Sequence, residues 1–478
     1  MAQLHDLDAL QAAAAVRRRE VSPTELVEHY LDRIARLDDR IGAFVTVTAG
    51  PAREQARLAD ADVLAGRPLP PLHGVPTAIK DLNLTAGVPT KLGSRLYRDF
   101  VPEVDDHVVT LLRRAGTISL GKTATPEFGL PCYTETEIGP PARTPWNTGR
   151  LAGGSSGGAA AAVAAGFVPI AQGSDGGGSI RIPASVTGLY GIKPSRGRIS
   201  RGPLDADSSG LSVLGPLART VRDAAAFLDA TAIAQTGDPQ WAPPLPVGES
   251  FLGWCDRTPA RLRIGRYLQP PVPGAEVDVE CRTAWEFASV LLESLGHEVI
   301  DIAMPMPAAV MAAFETVWAV SAGAVPVEPG REAELRPLTR HLRERGSRIG
   351  ATEYAAALGL LTFTSRQAMV VTAQYDAVLT PTLALPPRPI GWFCGTAEDP
   401  IDPAEDFERQ KRFTPYTAVY NASGQPAASL PLHWTADGLP VGVMLVGRQA
   451  GEAALLALSA QVEAAAPWSE RHPPIWSA

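Results

Sequence analysis

The sequence predicts an α/β fold of α/β/α type, a central twisted mixed β-sheet covered by helices on both faces. Three observations point there. Short apolar runs of strand length alternate with longer amphipathic stretches of helix length through much of the chain. The 478 residues are 45% hydrophobic and only 20% charged, which suits a large buried core. The stretch Gly153–Ser185 (GGSSGGAAAAVAAGFVPIAQGSDGGGSIRIPAS) then reads as loop, helix, strand and loop, with hydroxyls at both ends. A chain this long often holds several domains, but large α/β enzymes also run this length as one unit. One domain over residues 1–478 is the expectation here.

In chain order, residues 7–20 and 22–37 read as amphipathic helices forming an N-terminal cap (about 5–65). Ser22-Pro23 supplies an N-cap and a first-turn proline, and Leu26, Tyr30 and Ile34 share a face. Strand Ala43–Thr48 and helix Ala52–Ala65 follow. Val75–Leu84 (VPTAIKDLNL) holds a short apolar strand ending at Lys80-Asp81. Read alone, Lys80 is either a strand-end lysine snorkelling to water or a desolvated amine able to take a proton. His107–Ala115 reads as helix and Thr117–Leu120 as strand. The loop Glu127–Pro141 is of the kind that carries binding on a rigid scaffold, which makes Phe128, Gly129, Cys132 and Tyr133 candidates for a pocket wall.

In the Gly-rich stretch, Ala159–Gly166 is a short alanine helix and Val168–Ala171 a core strand. Ser155 and Ser156 sit in the first loop, Ser174 and Ser179 in the second. No lysine follows either glycine cluster, as a phosphate-cradling loop requires, and no strand leads into the first, as a dinucleotide fingerprint requires. Gly-x-Ser-x-Gly is absent around Ser179; it occurs within Gly153–Gly158, without the strand a nucleophile elbow needs. No histidine stands in a triad-like context.

Beyond Val221–Ala232, a helix, prolines cluster in the connector Asp238–Thr258. Strand Arg261–Ile264, helix Val277–Leu295, strand Glu298–Ile302, helix Ala308–Val325, a long helical stretch over about 331–373 and strand Ala377–Leu379 follow. Phe314, Trp318, Phe363, Trp392, Tyr416 and Tyr420 are candidate pocket aromatics from this portion. Asn421, Gly424 and Pro426 read as turn residues before a strand and its hairpin partner, Gly438–Gly447.

Gly153–Ser185 resembles the signature of the amidase signature family of serine hydrolases along nearly its whole length. GVPTAIKD around Lys80 resembles a second family segment, and YNASGQPAASLPL and GLPVGVMLVG resemble two more. The likeness covers about residues 5–230 and 413–470; residues 230–420 match least and are expected to shape the substrate pocket. The tail APWSERHP is similar to members acting on cyclic nylon oligomers. The resemblance implies a Ser–cis-Ser–Lys triad: Ser179 as nucleophile, Ser155 as bridging serine after a cis Gly154–Ser155 peptide, and Lys80 as base. It places an oxyanion hole on the N–H groups of Gly176, Gly177, Gly178 and Ser179. Ser156, Ser174, Asp175 and Arg181 fall behind these, with Arg181 a partner for Asp175. Lys122 and Lys193 are expected to be structural. One departure is visible: the family usually has Thr, Ile or Val where this chain has Gly176, which implies a roomier or more flexible hole.

The resemblance implies hydrolysis of a C–N amide bond in a small molecule or synthetic oligomer, with anilides, carbamates and esters within reach of the same triad. It implies no metal and no organic cofactor. A glutaminase subunit of a tRNA-dependent amidotransferase shares the signature, but the tyrosine-rich helix of those subunits has no counterpart in EYAAALGLLTFTSRQAMVV. An inactive binding or scaffold protein on the same fold is the reading from another class, and retention of all three triad residues argues against it.

A net charge of −8 argues against nucleic acid as a bulk partner. The four cysteines, Cys132, Cys255, Cys281 and Cys394, lie far apart without a metal-type pair. MAQLHDLDAL has acids where a signal peptide has a basic region, and no stretch reaches the ~18 apolar residues of a membrane helix. A cytoplasmic enzyme acting as monomer or homodimer, without a membrane partner, is the expectation.

Overall fold

The computed structural model describes residues 3–205 and 207–478. Its strands are β1 (Phe44–Val47), β2 (Pro76–Lys80), β3 (Ile118–Thr123), β4 (Ile170–Asp175), β5 (Tyr190–Lys193), β6 (Val213–Ala218), β7 (Arg263–Arg266), β8 (Glu298–Asp301), β9 (Ala377–Pro381), β10 (Ala427–Trp434) and β11 (Pro440–Gly447). Among the described residues these form one sheet in the order β1-β3-β2-β4-β6-β5-β10-β11-β9-β7-β8. Strands β3, β2 and β4 run parallel, as do β9, β7 and β8 at the other end. The middle, from β4 through β6, β5, β10 and β11 to β9, is antiparallel. This is the expected α/β architecture with a mixed sheet.

The parallel strands near the site are covered on both faces. Every residue of β2 and of β9 is buried. Helices Gly157–Ala164 and Arg181–Thr187 pack on the central strands, and helices Val279–Ser294 and Glu452–Ala465 pack on β10 and β11. The alanine helix 157–164 is wholly buried. Its small side chains let it lie close: a Cβ on Gly158 would sit 2.3 Å from the Ala124 backbone nitrogen.

The structure departs from the expected elements in several places. Strands β5 and β6 are additions to the expected set, because Gly191, Gly215 and Pro216 break the apolar pattern. They are there because backbones approach closely: a Cβ on Gly215 would stand 2.5 Å from the Ile192 carbonyl oxygen. The strand expected at 168–171 runs on to Asp175, carrying Ser174 and Asp175 out on its end. The long helical stretch at 331–373 is two helices, Pro337–Ser347 and Ala351–Thr372, because Gly350 is extended (φ −75°, ψ 157°) between them. Asn421 is not a turn residue: it lies buried in helix Ala418–Ser423, with Gly424 as the left-handed cap.

Candidate active site

Lys80 ends β2, and Gln172 on the neighbouring β4 accepts the Lys80 N–H through Oε1 at 3.0 Å. The apolar strand draws the lysine stem inward, and the whole side chain is buried. Its Nζ stands 2.7 Å from Ser155 Oγ and 2.9 Å from Ser174 Oγ. Burial lowers the amine to about 7, and the more distant Asp175 charge only partly opposes this. An amine near 7 is substantially neutral at working pH, so it can accept a proton.

The Gly154–Ser155 peptide is cis. Ser156 braces this loop against β4: its Oγ donates to the Ser174 carbonyl at 3.0 Å and accepts the Ser174 N–H at 3.2 Å. Its own N–H donates to the Ser179 carbonyl at 3.2 Å, tying the two serine loops together.

The second loop is shaped from behind by Asp175. The carboxylate accepts the N–H of Gly178 at 2.8 Å and of Ile180 at 3.1 Å. Arg181, fully buried, donates Nε to Asp175 Oδ2 at 3.0 Å and Nη2 to Oδ1 at 2.8 Å. Asn421 completes the cage, accepting from Arg181 Nη2 at 2.6 Å and donating to Asp175 Oδ1 at 2.9 Å. Burial works to raise the Asp175 carboxyl, but the Arg181 charge and hydrogen bonds outweigh it and hold the group well below the usual range. Gly178, expected as an oxyanion donor, is therefore committed to Asp175. The N–H groups of Gly176, Gly177 and Ser179 remain for a ligand.

Ser179 opens onto a narrow cleft. One wall is Leu130, Pro131 and Cys132, with Gly177, Ser179 and Ile182 at the floor. Helix Ala309–Ala324 presents Met311, Phe314, Glu315 and Trp318 at i, i+3, i+4 and i+7, one helical face. Helix Pro403–Phe413 and the residue after it present Phe407, Gln410, Lys411 and Thr414 with the same spacing. The first of these helices matches an expected element; the second does not, although Asp402-Pro403 is an N-cap followed by a first-turn proline, and Asp402 does accept the Ala404 N–H at 2.8 Å.

Of the pocket candidates, Cys132, Phe314 and Trp318 line the cleft. Gly129 lies beside the serine loop, where a Cβ would stand 3.3 Å from Ser155 Oγ. Phe128 does not line the cleft; it sits edge-on to Tyr97, ring centres 5.9 Å apart. Tyr133 is behind the wall, stacked on Phe393 at 4.7 Å and donating its hydroxyl to Asp406 at 2.6 Å. Phe363 is exposed on the outer face of its helix, Trp392 packs on Phe393, and Tyr416 and Tyr420 are core.

The other two buried lysines face elsewhere. Lys122 donates to the Asn83 carbonyl and to Thr90 Oγ1 (2.9 Å), and Lys193 donates to the Pro194 carbonyl at 3.0 Å. Burial lowers both, Lys122 to about 8 and Lys193 to about 7, so a lowered amine alone does not single out Lys80. Contact with two serine hydroxyls does. Among the described residues no group of three or more His, Cys, Asp or Glu side chains is arranged to hold a metal ion, and no helix is long and apolar enough to cross a membrane.

The chain is 35% identical over 491 residues to a 6-aminohexanoate-cyclic-dimer hydrolase of Paenarthrobacter ureafaciens, covering 98% of this chain and 96% of the relative. It is 36% identical over 481 residues to a glutamyl-tRNA(Gln) amidotransferase subunit of Synechococcus sp. (strain CC9311), covering 95% and 96%. A solved structure of 6-aminohexanoate cyclic dimer hydrolase complexed with substrate matches with a TM-score of 0.90 at 32% identity over 99% of each chain. The family model described as Amidase matches residues 25–456, so the chain belongs to the amidase family and is an amidohydrolase.

Proposed function

We propose that this enzyme hydrolyses small, uncharged amides bearing an apolar group, through an acyl-enzyme on Ser179, and that carbamates and esters of the same shape are also cut. The observation carrying this reading is Lys80 Nζ at 2.7 Å from Ser155 Oγ, in a buried setting beside the loop that presents Ser179. Neutral Lys80 takes the Ser155 proton as Ser155 takes the Ser179 proton. Ser179 Oγ attacks the carbonyl carbon, and the N–H groups of Gly176, Gly177 and Ser179 stabilise the oxyanion. Ser155 gives its proton to the leaving nitrogen as Lys80 gives its own back to Ser155, the C–N bond breaks, and water, deprotonated through the regenerated relay, releases the acid and returns a proton to Ser179.

Identity alone does not separate this reading from a glutaminase subunit, since 35% and 36% are equivalent. The cleft favours the stand-alone enzyme. Glutamine carries an α-ammonium and an α-carboxylate that need charged partners. Here Met311, Phe314, Trp318 and Phe407 are apolar, and the charges at the rim are paired with one another: Glu315 with Lys411 at 2.9 Å and with Arg345 at 3.2 Å. Initial rates on four substrates test the proposal: an aliphatic amide, an anilide, a carbamate and a nylon-type amide oligomer, each with free glutamine as comparator. Turnover of an apolar amide with none of glutamine is expected. Glutamine as the preferred substrate would overturn it.

A further inference from the structure

The substitution that sets this chain apart at the oxyanion loop is Gly176, and the structure shows what occupies the space. Neither Gly176 nor Gly177 has a φ in the left-handed region, so the backbone does not require glycine at either position. The neighbours crowd it. A Cβ on Gly176 would lie 3.1 Å from two atoms of the Trp318 indole ring and 2.8 Å from Ser212 Oγ. A Cβ on Gly177 would lie 3.1 Å from Phe314 Cζ. Both rings come from one face of helix Ala309–Ala324, four residues apart, and they stack on each other with centres 5.4 Å apart and planes 19° from parallel. The pocket is therefore not roomier at Gly176. The room left by the missing side chain is filled by an aromatic pair from the part of the chain that matches the family least.

The geometry points to Trp318, with Phe314 behind it, as the specificity-determining platform of this enzyme: a flat apolar surface resting on the backbone that offers N–H groups to the oxyanion, against which a planar or apolar substituent of the substrate lies while its carbonyl enters the hole. Both rings line the cleft, and Trp318 is partly exposed where Phe314 is buried, so the indole is the more open of the two faces. The charges flanking the platform cancel. Glu315 and Glu408 share Lys411, at 2.9 and 2.5 Å, and Glu315 also holds Arg345. A charged substituent would find no free counter-ion, while an aryl or cycloalkyl group gains ring contact. The preferred substrates on this account carry a neutral ring next to the scissile carbonyl or nitrogen. The inference rests on the Ser179 reading above.

A double-mutant cycle tests it, with kcat and KM measured separately on a para-substituted anilide and on acetamide. Trp318→Ala is expected to raise KM for the anilide by about tenfold more than KM for acetamide, the order expected from losing an aromatic contact. Trp318→Phe should recover most of the anilide KM. Gly176→Val should impair both substrates by about tenfold or more, since its side chain meets the indole, and adding Trp318→Ala should restore acetamide turnover toward that of Trp318→Ala alone. Equal losses on both substrates in Trp318→Ala, or a silent Gly176→Val, would overturn the assignment. Labelling of Ser179 by a fluorophosphonate in every variant keeps the two readings apart. Labelled variants without the substrate split refute the platform, and an unlabelled Ser179 in the parent enzyme refutes the nucleophile.

Discussion

The backbone N–H of Gly178 donates to the Asp175 carboxylate at 2.8 Å, while Arg181 grips the same carboxylate through Nε and Nη2. The loop bearing Ser179 is thus pinned to the end of β4 by a fully buried ion pair. Asp175 touches no reacting atom; it sets where the other three N–H groups point.

Asp175→Ala should leave the Arg181 charge buried without its partner and cost about 3–5 kcal/mol of stability, the usual penalty for breaking a buried pair. Urea denaturation at neutral pH measures this. The carboxyl lies well below its unfolded value. Its contribution is therefore present above the unfolded pKa of about 3.9 and fades as pH falls below that. The stability difference between parent and variant should narrow in strong acid and hold constant from about pH 5 upward.

Lys80 has a folded pKa of about 7, below its unfolded value. The neutral, proton-accepting form gains population as pH rises through that value. The kcat/KM profile should accordingly climb with an inflection near 7 and flatten above it. Lys80→Ala should abolish the inflection and lower amide turnover by about 10²–10⁴, the range for loss of a general base. Activated esters should suffer less because their leaving groups need less protonation. Lys122→Ala, whose ammonium faces the Asn83 carbonyl and Thr90, should lose stability but keep the inflection.

Gly129→Ala tests how tightly the serine loop is packed. The position has φ +69°, and a Cβ there would stand 2.6 Å from Leu82 Cδ1 and 3.3 Å from Ser155 Oγ. The left-handed backbone costs a non-glycine residue about 1–2 kcal/mol, and the methyl pushes on the bridging hydroxyl. A drop in kcat of about tenfold or more with KM nearly unchanged is expected from steady-state kinetics, since misplacing a reacting group acts on the chemical step.

Much of the sheet is legible in the sequence because it is built from local signals, whereas the joining of Lys80 to the serine loops comes from the family resemblance, since Lys80 read alone could equally reach for water. The apolar run before Lys80 fits a buried strand, and the paired glycine clusters mark the two loops that meet it. Most of the alternating elements through residue 302 are legible for the same reason, strands β5 and β6 excepted. What escapes is set by distant partners. Asn421 has the look of a turn residue because its ligands, Arg181 and Asp175, are some 240 residues away in the chain. The Gly178 N–H reads as free because its acceptor is a side chain whose aim no spacing reveals. Phe128 and Tyr133 share a loop with true wall residues, yet adjacent loop positions face opposite ways, and only packing against Tyr97 and Phe393 decides which. Gly176 implies an empty space because nothing in its neighbourhood announces the Trp318 ring that fills it.

A nucleophilic Ser179 becomes acylated during turnover. Rapid acid quench of the enzyme with a slowly deacylating aryl ester or anilide, followed by peptide mass mapping, tests it most directly. One acyl group per chain is expected, on the peptide containing Ser179, and none in Ser179→Ala. An adduct on Ser174 or Ser155 in the parent enzyme, or undiminished turnover by purified Ser179→Ala, would contradict it.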